Sequence, residues 1–340
     1  MGIRHLVISA AALWASTGGA VAQEVNMRLG HWVPPTHPIH TMVIEPWAES
    51  IKEASGGRIN ITIFPAGQLG APADHYDMTR DGVTDIAYVA PGYQAGRFPV
   101  YALHEVPFFV TNATDGAMAV HEWYAPYAEK EMADVKFCVA NPPDPATIHS
   151  KNPVRLPGDL RGINIRAANA TISRFVSSLG AGPVQVPASE AREAVTKGLV
   201  DAVTFPWNSV FIFGIDSVLK NHLDMPIYTG ANFLLFNKAT YANLPDDLKK
   251  VIDDHCTPEW SKRVSSGWAE NEQSGRQKAI DAGHTLHAPS PEEVQAWRDA
   301  AAPLLDKWRE DATAAGWNPD EVLASYREAL KRHDSLYEAE

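Results

Sequence analysis

The chain has 340 residues, of which 45% are hydrophobic and 21% charged, with a formal net charge of −12. This composition excludes a disordered or low-complexity chain and leaves room for two globular domains. The acidic balance argues against nucleic acid or anionic lipid as a partner, but not against a small anion held at one focused cationic site.

Residues 1–22 read as a secretory signal peptide: a charged start (Met1–His5), an apolar run (Leu6–Trp14) and small residues ending Ala20-Val21-Ala22. The mature chain is then expected to begin near Gln23 and to work in the periplasm. No later stretch has the roughly 18 uninterrupted apolar residues of a spanning helix, so no direct membrane insertion is expected. An exported chain has access to disulfide chemistry, but spacing does not show whether Cys138 and Cys256 meet. The apolar run around Cys138 favours a buried free thiol, with a bridge as the alternative.

Taken in order, Val25–Gly30 alternates as a strand, and the loop His31–Pro38 follows. A helix to about Ser55 carries Val43, Trp47 and Ile51 on one face; Pro46 predicts a kink or a late start, and Gly56-Gly57 the end. Ile59, Ile61 and Ile63 mark a half-buried strand, and Asp85–Val89 another. Strands alternating with helices imply parallel α/β sheets whose ligands bind at the carboxyl ends of the strands. After the strand Val135–Ala140, Pro142, Pro143 and Pro145 make a stiff connector. A second lobe repeats the pattern: strand Ile163–Ala167, helix Thr171–Leu179, strand Pro183–Val186, a helix capped by Ser189 and strand Val200–Phe205. Leu223–Phe236 reads as a second crossover, and the chain is mostly helical from Leu244. Ser290-Pro291 and Asn318-Pro319 open two helices with capping residues and a proline at the first position. The expected fold is a two-lobed α/β binding-protein architecture with two crossover strands and a long bridging helix. Residues 23–143 and 230–270 are assigned to the first lobe, 144–229 and 271–340 to the second.

Enzyme signatures are missing from the sequence: there is no G-x-S-x-G elbow, H-E-x-x-H or P-loop. His31, His37 and His40 match no common zinc spacing, and Asp74, Asp77, Asp81 and Asp85 read as a solvated face. No metal and no cofactor are expected.

Three segments in register carry a resemblance. Ser55-Gly56-Gly57 to Gln68-Leu69-Gly70, Pro157-Gly158-Asp159-Leu160-Arg161-Gly162-Ile163-Asn164-Ile165-Arg166, and Ser189-Glu190 to Gly198-Leu199-Val200-Asp201 are similar to segments of the solute-binding proteins of TRAP (tripartite ATP-independent periplasmic) transporters. The resemblance implies a periplasmic binder that closes on an organic acid and delivers it to membrane permease subunits. It also implies that Arg166 pairs with the ligand carboxylate, whose two oxygens match the parallel N–H donors of a guanidinium.

The departures from the family shape the ligand expectation. Ala146 stands where many members carry a second arginine. Ala90, Ala188 and Phe205 stand where sialic-acid binders carry glutamate, an aromatic and asparagine. Thr204-Phe205 replaces the Glu-Trp pair of metal-holding members. The pocket therefore loses polar groups and gains an apolar wall. Trp32, Tyr93, Phe205, Trp207, Phe211 and Phe233 are expected to face the cleft and stack on a flat acid. Gln68, Asn169, Asn208, His31 and His37 are candidates for contacts to a ring hydroxyl. The expected ligand is an aromatic monocarboxylate such as a benzoate or mandelate-like acid, bound by a monomer. An aliphatic keto- or hydroxy-acid is the alternative within binding. The alternative from another class is an exported hydrolase or lyase with His37 or His31 as base.

Overall fold

A computed structural model describes residues 24–337, so the expected signal peptide lies outside the described residues. The first lobe begins with β1 (Val25–Gly30), α1 (Glu45–Ala54), β2 (Ile59–Phe64), α2 (His75–Arg80), β3 (Ile86–Val89), α3 (Ala113–Glu131) and β4 (Val135–Asn141). The chain then crosses into β5 (Thr147–Ser150), β6 (Asn164–Arg166), α4 (Ala170–Ser178), β7 (Gly182–Val184), α5 (Ala191–Thr196), β8 (Ala202–Phe205), α6 (Ser209–Ile212) and β9 (Asn221–Leu223). It returns through β10 (Asn232–Asn237), α7 (Lys238–Ala242) and α8 (Asp246–Asp254). The long helix α9 (Pro258–Asp281) leads on to β11 (Thr285–His287), α10 (Pro291–Ala314) and α11 (Pro319–Arg332).

One sheet has the order β2-β1-β3-β10-β4, the other β11-β9-β5-β8-β6-β7. Neither is wholly parallel, contrary to the sequence expectation. In each sheet one strand runs against its neighbours: β10 against β3 and β4, and β5 against β8 and β9. These are the strands that enter from the opposite lobe, and their reversed direction follows from that. The two crossing segments touch through the bridge Ala146–Tyr228.

Local chemistry explains most boundaries. The helix before Ser55 starts late: Ile39–Ile44 forms a wide π-helical stretch, and α1 begins at Glu45 with Pro46 in its first turn, where its missing N–H costs nothing. Asn169 caps α4, Thr257 caps α9, and Ser290 with Glu293 forms a capping box on α10. Ser189 caps no helix, contrary to expectation. It lies inside the single turn Ala188–Glu190, and α5 starts after it without a side-chain cap.

Helix α9 joins the lobes. Near its start, the Ser261 hydroxyl accepts the Ala140 N–H at 3.0 Å, and Ser265 meets the Asn141 amide at 2.9 Å. Farther along, Glu272 takes the Asn208 and Ser209 N–H groups of the second lobe at 2.6 and 3.0 Å. Gly275 permits this approach, since a Cβ there would overlap the Trp207–Asn208 backbone. Cys138 on β4 and Cys256 before α9 form a disulfide across 118 residues, which corrects the free-thiol expectation. The apolar setting of Cys138 fitted either state, because its partner reaches it only through the tertiary fold. The C-terminal helices serve both lobes: α10 sends Trp297 Nε1–H to the Arg155 carbonyl and Trp308 Nε1–H to the Pro99 carbonyl, while α11 packs on α3.

Candidate functional site

The carboxyl ends of β1, β3, β6 and β8 converge on a cavity between the lobes. It encloses about 680 Å³ of space free of protein atoms, part of it open to solvent, within the range of small-ligand sites. Its walls are largely apolar and aromatic.

Arg166 ends β6 and is 2% exposed. Its Nε–H donates to the Val186 carbonyl at 3.0 Å, and one Nη1–H to the Thr204 carbonyl at 3.2 Å. The ring of Phe205 lies under the guanidinium, 4.6 Å from centroid to Cζ. These contacts fix the plane of the guanidinium and leave Nη2 and the second Nη1 hydrogen without an acceptor among the described residues. Among those residues no carboxylate pairs with Arg166 either. A buried cation without a counter-ion is costly, and an anion laid against the free Nη edge removes that cost.

Thr204 locks this wall. Its hydroxyl receives the Ala168 N–H and the Tyr228 O–H, each at 3.0 Å. From the other lobe, Trp32 and Tyr93 pack at 5.8 Å between ring centroids, and the Tyr93 hydroxyl accepts the Ala188 N–H at 3.1 Å. Ala90 and Ala188 line the cavity with small side chains. His37 lines it as well. Its Nδ1 accepts the Ile39 N–H at 3.1 Å, so the ring proton sits on Nε2 as a donor. Burial pushes the His37 pKa down to about 3, which makes it a poor base at neutral pH. Asn169 spends its Oδ1 on the Ile172 N–H and keeps its amide donors for the cavity.

The structure thus brings Arg166, Trp32, Tyr93, Phe205, Asn169, His37, Ala90 and Ala188 together around one space. It does not bring the remaining candidates there. Trp207 follows Pro206 out of β8 and packs on the far side against His149 and His222, at 5.4 and 5.3 Å. Asn208 is tied to α9, where its Oδ1 accepts the Lys278 ammonium at 2.9 Å. Phe233 points to the α3 side of its sheet, stacked on Tyr124 at 5.0 Å. Gln68 is exposed on the loop beyond β2. Phe211 stacks on His284, and His31 pairs with His40 at 2.8 Å below the cavity wall.

Several wall residues escaped the sequence reading: Tyr101, Glu105, Phe213, Tyr228 and Trp268. Only Glu105 carried a signal, as the one carboxylate in the apolar stretch from Leu103 to Val110. Among the described residues, no group of three His, Cys, Asp or Glu side chains is placed to hold a metal ion. A cavity between two lobes, with a fixed guanidinium and aromatic walls, forms a binding site.

This architecture and site define a solute-binding protein. The chain belongs to the bacterial extracellular solute-binding protein family 7 (DctP), matched over residues 29–311, the family of TRAP solute receptors. It is similar to the outer membrane transporter protein TsaT of Comamonas testosteroni, 26% identical over 96% of this chain and 98% of that protein. Its structure is similar to a TRAP solute-binding protein of Rhodoferax ferrireducens T118 in complex with copurified benzoate, with a TM-score of 0.87 and 30% identity over 91% of this chain and 98% of that one. A marine metagenome protein specific for aromatic acid ligands, in complex with 3-hydroxybenzoate, matches with a TM-score of 0.87 and 29% identity over 92% and 99% of the two chains. Among the described residues, no helix is long and apolar enough to cross a membrane.

Proposed function

We propose that this protein binds an aromatic monocarboxylate of the benzoate, hydroxybenzoate or mandelate type in the periplasm and presents it to its TRAP permease. One observation carries the reading. Arg166 is a buried guanidinium with its Nη edge open to a cavity of aromatic and small apolar walls, and among the described residues no second arginine lines that cavity. The ligand carboxylate lies on that edge, and its ring lies between Phe205 and the Trp32–Tyr93 pair. The contents of the similar structures support this: benzoate, 3-hydroxybenzoate and, in a protein of Bordetella bronchiseptica at 25% identity, both mandelates.

A thermal-shift panel of small carboxylates tests it. A ligand at a hundredfold its Kd stabilises the native state by about 2.7 kcal/mol, which raises Tm by several degrees. Benzoates or mandelates are expected to give this shift, and Arg166→Gln to abolish it while remaining folded. A shift given only by aliphatic keto-acids, dicarboxylates or sugar acids overturns the aromatic reading.

A further inference from the structure

The cavity contains a second buried ionisable group, one with no part in holding the carboxylate. Glu105 ends the short helical turn Tyr101–Glu105 of the first lobe, is 3% exposed and lines the same cavity as Arg166. Its Oε2 accepts the Thr171 hydroxyl of the second lobe at 3.0 Å. Its Oε1 makes no hydrogen bond of ordinary geometry among the described residues, although the Tyr101 hydroxyl, which is engaged with the Ala231 backbone, stands close enough to interact with the carboxyl. That oxygen lies against two positions without side chains: a Cβ on Gly92 would collide with it, and one on Gly230 would stand 3.9 Å away. The Asn169 amide nitrogen is beside the same spot, 3.8 Å from that Gly230 position. No cation pairs with Glu105 among the described residues, and burial raises its pKa to about 8. At neutral pH it is therefore a neutral carboxyl. With Oε2 accepting from Thr171, the proton belongs on Oε1, on the side of the Tyr101 hydroxyl and the cavity.

Among the described residues, Glu105 and Arg166 share no hydrogen bond or ion pair. Tyr228 lies near both of them on the cavity wall. The cavity wall thus carries a charged anchor, Arg166, and a separate neutral donor–acceptor group, Glu105, among aromatic side chains.

We propose that Glu105, with Asn169 beside it, is a distal specificity subsite that selects aromatic monocarboxylates bearing a hydroxyl or oxo group away from the carboxylate. This rests on the aromatic-acid reading above. A bare ring leaves the buried carboxyl unpartnered when the lobes close, and a ring hydroxyl satisfies it. A second ligand carboxylate would meet no cation there and is disfavoured.

Calorimetric titration of the full mature protein with benzoate, 3-hydroxybenzoate, 4-hydroxybenzoate and isophthalate tests this, using wild type, Glu105→Leu and Glu105→Gln. At neutral pH the better hydroxybenzoate is expected to bind wild type about tenfold more tightly than benzoate, with isophthalate weakest. Glu105→Leu is expected to bring the hydroxyl preference to about one, and Glu105→Gln, which keeps a donor and an acceptor, to retain most of it. The pH profile provides a second readout. The groups facing Glu105 are Tyr101, Thr171, Asn169 and Tyr228; behind it lie His104 and the Arg174–Asp311 pair. Burial raises both tyrosines and lowers His104, so neither tyrosine nor that histidine changes charge between pH 7 and 9. Benzoate affinity is therefore expected to fall in wild type as pH rises through about 8, where Glu105 ionises, and to stay flat in Glu105→Gln. An unchanged hydroxyl preference in Glu105→Leu overturns the subsite while leaving the aromatic-acid reading standing. No binding of any of the four acids by wild type overturns both.

Discussion

Glu272 and Glu105 are buried to nearly the same depth, 1% and 3% exposed, yet they stand in opposite situations. Glu272 accepts four hydrogen bonds, from the Asn208 and Ser209 N–H groups, the Ser209 hydroxyl and the Trp268 indole. Every donor there belongs to the protein, and the carboxyl fastens α9 to the second lobe. Glu105 accepts one hydrogen bond of ordinary geometry, from Thr171, and its other oxygen faces the cavity beside Tyr101 and Asn169. Arg166 resembles Glu105 in this respect, with part of its hydrogen-bonding capacity used by backbone carbonyls and the rest directed into the cavity. Depth of burial does not separate structural from ligand-facing polar groups in this molecule; the number of partners the chain supplies does.

The largest effect expected from this contrast is on affinity. Arg166→Gln removes the only counter-charge a bound carboxylate has in the described cavity, and should weaken binding by about a thousandfold, or roughly 4 kcal/mol. Because the same change removes a buried charge without a counter-ion, unliganded Tm should hold or rise. A large fall in unliganded Tm would show that Arg166 is structural after all. Next, Glu272→Ala strips an acceptor from four buried donors and should cost about 3 kcal/mol in urea unfolding, whereas Glu105→Leu should shift stability by about 1 kcal/mol at most. Equal costs would erase the distinction between the two glutamates.

Titration gives a third test with opposite signs at its two ends. His31 and His37 are held near pKa 3, and His104, His121 and His222 near 4, all chiefly by burial. The unfolded chain takes up these protons at about 6.5, so it binds more of them than the native state below that pH. Stability should be fully present above 6.5 and drain away as pH falls toward 4. Glu105 has the reverse shift, so its contribution fades as pH rises from the ordinary glutamate range through about 8. Melting curves from pH 4 to 9 should show a dome, with Glu105→Gln removing a decline that runs from about pH 4.5 to 8 and so flattening the limb above 6.5. The smallest effect is kinetic. Tyr93→Phe removes the acceptor for the Ala188 N–H, a bond made between the lobes, and should speed ligand dissociation about fivefold in stopped-flow.

The alternation of strands with helices, the two crossovers and Arg166 at a strand end could be read from residue patterns, because each rests on local periodicity or a short motif. The aromatic set was harder. Leu234 and Phe236 pack into one core while Phe233 and Leu235 pack into the other, and a strand's period of two does not say which side faces the cleft. Phe205 turns inward and Trp207, two residues later, turns outward because β8 ends at Phe205 and Pro206 breaks the strand's period. Glu105 was overlooked because it lies on a helical turn rather than at a strand end. The Cys138–Cys256 bridge joins residues whose proximity depends on the finished tertiary arrangement.

That bridge also bears on how the molecule moves. It anchors the start of α9 covalently to β4, and the Ser261 and Ser265 contacts reinforce the same end. The helix is then a lever clamped at one end, with its free arm carrying Glu272 and the second lobe. Any hinge motion between the lobes is therefore expected to pivot beyond Ser265, with the clamped segment as its fixed end.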